Sequence, residues 1–146
     1  MRYNTTKRDP IKNSFIMPNE IFRLGLSEGA IAVYAYLLYC EDRGTYQCYP
    51  SYNTIACAIG KSKNSIRKYV AELVSKRLIE TEHTTVILKD GRKHNGSLKY
   101  TVLPIDKAVR YYEEVQMRQL KIEEAKREAE KRLAEYDRRH PKTATV

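Results

Sequence analysis

In "GKSKNSIRKYVAEL" (residues 60–73), Asn64 and Arg67 stand three residues apart, with Lys61, Lys63 and Lys68 around them. An arginine can make two parallel hydrogen bonds to a guanine edge, and an asparagine can do the same to adenine. Lysines beside them suit phosphate oxygens, which position a protein without specifying sequence. The stretch holds one acid, Glu72, near its far end. Cations at the start of a helix oppose the helix dipole, which favours negative charge there. Either an anionic partner wants that positive face, or the cluster is an ordinary solvated helix surface.

The surrounding residues position the cluster. Ser62 caps a helix predicted from 63 to about 76, with Ile66, Tyr69, Val70 and Leu73 at helical spacing. At 100° per residue these four form one face, and Lys63, Asn64, Arg67, Lys68 and Ala71 form the other. Ser51 caps a shorter helix over 52–59 that carries Ile55, Ala56 and Ile59 on one side. Gly60 ends that helix, as glycine does in the left-handed region, and small Ala56 allows the two helices to approach. The candidate base contacts are Lys63, Asn64 and Arg67. The candidate phosphate contacts are Lys61, Ser62 and Lys68, joined by Ser51 and Asn53; Lys63 suits either role.

Upstream, "FIMPNEIFRLGL" is a short amphipathic segment with Pro18 in its first turn. Ser27 caps a largely apolar helix from Glu28 to near Gly44, expected at the centre of the core. "GTYQCYPS" is expected to be a loop. Downstream, "TTVIL" (84–88) and "LKYTV" (98–102) read as the strands of a β-hairpin. Asp90-Gly91 and Asn95-Gly96 between them are strong turn signals. Lys89, Arg92, Lys93 and His94 crowd the hairpin tip, where an arginine can enter a minor groove. The expected fold is mainly α with a small β-hairpin: a winged helix-turn-helix domain over 15–104. It is preceded by a flexible basic arm (1–14) and followed by a long charged helix (105–140) and a tail (141–146). In such a motif the second helix enters the major groove.

The long helix carries Ala108, Tyr112, Val115, Gln119, Ile122, Lys126, Ala129, Leu133 and Tyr136 in alternating steps of four and three. That is a heptad seam with two polar members. Its dimer-seam candidates are Tyr112, Val115, Gln119, Ile122, Ala129 and Leu133. Glu123–Arg127, Glu128–Arg132 and Glu135–Arg139 are spaced to pair along the helix. The seam implies a homodimer or a helix folded back on its own domain; a lone, charge-stabilised helix is the plain alternative.

The 146 residues carry a formal net charge of +9. Residues 1–104 hold 16 Lys and Arg against 9 Asp and Glu, a net +7, while 105–146 hold 11 against 9, a net +2. The pull on anions therefore belongs to the helix-turn-helix part. No apolar run approaches a membrane span, and no signal-type stretch follows the basic N-terminus. The chain reads as cytoplasmic, with no membrane partner. Cys40, Cys48 and Cys57 form no CxxC pair and suit apolar or half-buried sites rather than disulfides or zinc. No P-loop, GxSxG or HExxH is present. His83, His94, Glu80 and Glu82 lack a spacing that favours ligation. No enzyme, catalytic residue, cofactor or metal is expected.

The segment from "MPNEIFRLGLSEGAIAVYAYLLY" through "SKNSIRKYVAELVSKRLIETE" and "DGRKHNGSLKYTVLPI" resembles winged helix-turn-helix proteins of Gram-positive plasmids, phages and integrative elements. Some of these form the N-terminal domain of plasmid replication initiators; others resemble replisome organisers or regulators. The resemblance covers roughly residues 15–105. It departs at Arg77, where the family often has glycine, and no further initiator domain follows. It implies a sequence-specific double-stranded DNA-binding protein of a mobile element, acting in transcriptional control or replication initiation. The alternative is a protein-interaction module that docks on replication, partition or host-defence machinery with the same scaffold.

Overall fold

The computed structural model describes residues 13–142. Most of the basic arm (1–12) and the end of the tail (143–146) lie outside the described residues. The chain divides into two compact units after Val109.

A 3-10 turn, Asn19–Arg23, follows Pro18 and buries Ile21. Helix α1 (Glu28–Cys40) starts at Ser27, whose hydroxyl accepts a hydrogen bond from the Ala30 amide. It ends at Cys40 rather than near Gly44, because Glu41 adopts an extended backbone. Gly29, Ala30, Val33, Tyr34 and Leu37 are its buried residues, and it packs on two further helices, α2 (Tyr52–Ile59) and α3 (Lys63–Ser75). Glycine at 29 admits Tyr69: a Cβ there would lie 2.0 Å from the Tyr69 ring. Burial of the Tyr34 side chain pushes its phenol up to about 12.

Both remaining N-caps form as the sequence predicts. Ser51 accepts the Thr54 amide at 3.1 Å, and Ser62 accepts the Ser65 amide at 3.2 Å. Gly60 closes α2 at φ +70°, with the Gly60 and Lys61 amides both bonded to the Ala56 carbonyl. Helix α3 ends at Ser75, and Arg77 takes the left-handed position at φ +61° where a glycine would be at ease. The Leu78 amide reaches the Leu73 carbonyl and the Arg77 amide reaches Val74, the paired bonds of a Schellman closure. Leu73 and Leu78, both fully buried, supply its apolar contact.

The sheet departs from the expected hairpin. Its strands are β1 (Gln47–Cys48), β2 (Ile79–Glu82), β3 (Thr85–Ile87), β4 (Lys93–Asn95) and β5 (Lys99–Val102). "GTYQCYPS" is not all loop: β1 pairs antiparallel with β5, setting Cys48 opposite Tyr100. "LKYTV" does not pair with "TTVIL". Its strand, β5, lies centrally between β1 and β2, with Ile79 opposite Val102. β3 instead pairs with β4, Thr85 opposite Asn95, as a separate two-stranded tip. Strand β2 went unread because "IETE" has one apolar residue, Ile79, which is buried while the other three are exposed. Tyr100 is buried in the core and closed to water, so its hydroxyl titrates well above the ordinary range.

Among the described residues all three cysteines are free. Cys48 is buried, with its thiol against the Leu37 carbonyl, and burial holds that thiol up at about 12. Cys40 is half-buried, but Cys57 is exposed on α2, against the apolar expectation. After β5, helix α4 (Ile105–Arg139) runs unbroken for 35 residues, since no Pro or Gly interrupts it.

Gly60 has open space around its α-carbon, so a side chain there meets only backbone strain. Gly60→Ala is expected to cost about 1–2 kcal/mol in a urea melt, leaving the native far-ultraviolet spectrum unchanged.

Candidate nucleic-acid interface

The inward face of α3 is Ile66, Val70 and Leu73, all buried, with Tyr69 half-buried. The other face is free of the core: Lys61, Lys63, Asn64, Arg67, Lys68 and Ala71 are all exposed. The candidate base contacts and the lysines thus share one helix surface, with no acid in the first turn of α3. The Arg67 guanidinium lies 6.0 Å from the centre of the Tyr52 ring, at the start of α2. That aromatic face can hold the arginine near the helix surface by cation–π attraction.

Ser51 and Ser62, read from sequence as phosphate contacts, both spend their hydroxyls on capping. Ser51 Oγ also lies 2.8 Å from the Thr54 hydroxyl, and Ser62 Oγ lies 3.0 Å from that of Ser65. Asn53 is exposed on the first turn of α2. Each cap takes one first-turn amide, that of Thr54 or Ser65, and the other first-turn amides of a helix have no intrahelical partner, which suits an anion.

Glu72, the acid that stood out in the sequence, points away from this surface. Its Oε2 accepts the Ser27 hydroxyl at 2.6 Å and its Oε1 accepts the Ser27 amide at 3.2 Å. Lys76 lies 4.0 Å from Glu72 and donates to the Gly25 carbonyl at 2.7 Å. One turn of α3 therefore grips the chain leading into α1. The carboxylate also sits at the N-terminus of α1, where the dipole favours negative charge. Sequence reading missed this link because its partner lies 45 residues away.

The wing is a two-storey ribbon. Its base is β2 and β5, tied by Lys99 Nζ to Glu82 Oε2 at 2.8 Å. That ion pair lowers the Glu82 carboxyl and raises the Lys99 amine from their usual ranges. The tip is β3 and β4. Gly91, at φ +84°, turns the chain, and its amide bonds to the Leu88 carbonyl. Asn95-Gly96 is not a turn, contrary to its sequence signal. Asn95 ends β4, and the Gly96 amide bonds to the Thr84 carbonyl where the two storeys join. A Cβ on Gly96 would fall 2.5 Å from the Thr84 hydroxyl, so glycine serves close approach here.

The four wing residues do not form one surface. Lys93 and His94 are neighbours on β4 and point to opposite sides of the ribbon. Arg92 is turned back toward Asp90, Nε to Oδ2 at 3.5 Å, and its amide bonds to the same carboxylate. Lys89 is exposed beside the turn. Among the described residues, no group of three or more His, Cys, Asp or Glu is placed to hold a metal ion. No helix of the described residues is long and apolar enough to cross a membrane.

Residues 24–79 match the family model described as a helix-turn-helix domain. The solved structure of a possible transcriptional regulator from Methanosarcina mazei Go1 is 13% identical. It aligns over 80% of this chain and 97% of that one, with a TM-score of 0.49. The S. aureus MepR–DNA complex is 14% identical over 80% of this chain and 86% of that one, at TM-score 0.39. The YusO protein from Bacillus subtilis is 17% identical over 82% and 79%, at TM-score 0.39. No curated protein matches the chain. The helix-turn-helix match and the strand-and-wing arrangement around it define a winged helix-turn-helix domain.

If Glu72 fixes the seat of α3, Glu72→Ala should lower stability by about 1–3 kcal/mol in chemical denaturation. Glu72→Gln, which keeps an acceptor, should lose less. Equal stability of all three proteins would mean the Ser27 link is dispensable.

Proposed function

We propose that the protein is a sequence-specific double-stranded DNA-binding protein of a mobile element, acting in transcriptional control or replication initiation. The observation that carries the DNA reading is the division of α3. Every residue read as a nucleic-acid contact on that helix is exposed, and its one acid is turned inward onto Ser27. Asn64 and Arg67 read base edges, Lys63 contacts a base or phosphate, and Lys61 and Lys68 engage the backbone. The capped ends at Ser51 and Ser62 offer amides to phosphates beside Asn53. The mobile-element context is supported by the resemblance over residues 15–105.

In the wing, Lys89 and Lys93 make backbone contacts, and Arg92 must exchange Asp90 for phosphate or groove. His94, on the opposite side of the ribbon from Lys93, can share a DNA surface with it only if the ribbon enters a groove.

Titrating salt against binding to random duplex DNA separates this reading from a protein-docking module. A DNA binder keeps affinity at physiological salt and loses it steeply as counterions are released, whereas a docking module of this net charge binds DNA only at low salt and keeps no affinity at physiological salt. On a selected site, Arg67→Ala and Asn64→Ala are each expected to cost about 1–3 kcal/mol and to relax base preference, with little effect on random DNA. Lys68→Ala should weaken both alike. Identical behaviour of Arg67→Ala and Lys68→Ala would refute the assigned roles.

Replacing Arg92 and Lys93 together with alanine should reduce the salt slope by roughly one to two units. The Asp90-Gly91 turn keeps the tip folded in that variant. An unaltered slope would show that the wing faces away from DNA.

A further inference from the structure

Between Tyr112 and Tyr136, the side chains at 112, 115, 119, 122, 126, 129, 133 and 136 recur in steps of three and four along α4. They share one stripe of the helix. In the single chain Tyr112 and Val115 are half-buried, and from Gln119 onward the stripe is open: Ile122 is 49%, Leu133 62% and Tyr136 59% exposed. Along one edge stand Gln116, Glu123, Glu130 and Asp137; along the other stand Arg118, Ala125, Arg132 and Arg139. Every charged residue on the first edge is acidic and every one on the second is basic. Met117 and Leu120, also exposed, lie off the stripe.

We propose that two copies of this chain pair in parallel and in register through the 112–136 stripe of α4, as a two-stranded coiled coil. The edges decide both the partner and the direction. In a parallel pair each residue of the basic edge faces the acidic edge of the other copy, in its following heptad. Arg118 then meets Glu123 of the second copy, Arg132 meets its Asp137, and the same contacts recur by symmetry. In an antiparallel pair like edges meet, so arginine faces arginine and glutamate faces glutamate. A partner of unrelated sequence would have to supply both edges in the same order, which a second copy does by construction.

The polar seam positions fit this arrangement. Gln119 meets its own counterpart, and two amides can bond to each other. Lys126 lays its stem along the stripe and carries its amine outward, toward the edge that holds Glu123 and Glu130. Such positions lower stability but fix register and strand number.

Pairing in this direction has a geometric result. The first unit of the chain ends at Val109, just ahead of the stripe. A parallel coil starts both helices at the same end, whereas an antiparallel one would separate their starts by roughly 36 Å. Two domains related by a two-fold axis suit inverted half-sites on DNA. The pairing itself stands independently of DNA binding.

Sedimentation equilibrium of the full chain tests the proposal. The wild type should be dimeric at micromolar concentration. Arg118→Glu should weaken the dimer about tenfold, because two attractive contacts become two repulsive ones. Combining it with Glu123→Arg should restore the dissociation constant to within about threefold of wild type. Arg118 lies 3.9 Å from Glu114 of its own helix, and that ion pair is absent from the single and the double variant alike, so recovery isolates the pairing between copies. Both positions are exposed in the single chain, and equal helix content by circular dichroism accompanies the expected result. A monomeric wild type overturns the proposal. So does a dimer tightened by Arg118→Glu, which is the antiparallel outcome, or a double variant as weak as the single one.

Discussion

A helix can keep one surface exposed and free of acids only if its other surface holds it in place. Helix α3 meets this constraint in two ways. Ile66, Val70 and Leu73 bury an apolar stripe against the core. Glu72 then fixes the angle of the helix by accepting both the amide and the hydroxyl of Ser27. The acid is needed for the fold yet would repel an anion, and the helix resolves this by placing it beyond the last basic residue of the exposed face. The remaining features follow from that seat: Gly60 sets the turn into α3, and the Leu73–Leu78 closure sets the exit into β2.

The caps, the glycine turn and the two faces of α3 were legible in the sequence because each is decided by residues within a few positions. Ser27, Ser51, Ser62 and Gly60 act on their own neighbours. The sheet was less legible for the opposite reason. "TTVIL" and "LKYTV" both look like strands, but local pattern does not say which partner each takes. β5 pairs with β1 and β2 because Tyr100 must reach the core, leaving β3 to the short β4. Asn95-Gly96 carries a turn signal yet serves a close contact with Thr84. A two-residue strand such as β1 has no periodicity at all.

The candidate contacts divide along the same line. Exposure of Lys63, Asn64, Arg67 and Lys68 followed from helical spacing alone. What spacing could not give was the company each side chain keeps. Arg67 lies against Tyr52, Arg92 leans on Asp90, and the Ser51 and Ser62 hydroxyls are already engaged by their own helices. Along α4, Glu135–Arg139 closes at 3.0 Å as its spacing suggests. Among the described residues Glu123–Arg127 and Glu128–Arg132 do not, and Glu114–Arg118 does. Spacing permits such pairs, while the rotamers of long exposed side chains choose among them.

The central place of β5 also bears on how the chain acquires its structure as it is made. Gln47 pairs with Thr101, so the sheet joins segments more than fifty residues apart in sequence. Three helices can assemble from local contacts while β1 still waits for its partner. During synthesis from the N-terminus, the core stays open at the Tyr100 position until that residue has left the ribosome. Helix α4 emerges only afterwards. The first unit therefore closes late in synthesis, once β5 and the start of α4, with its buried Ala108, have both emerged.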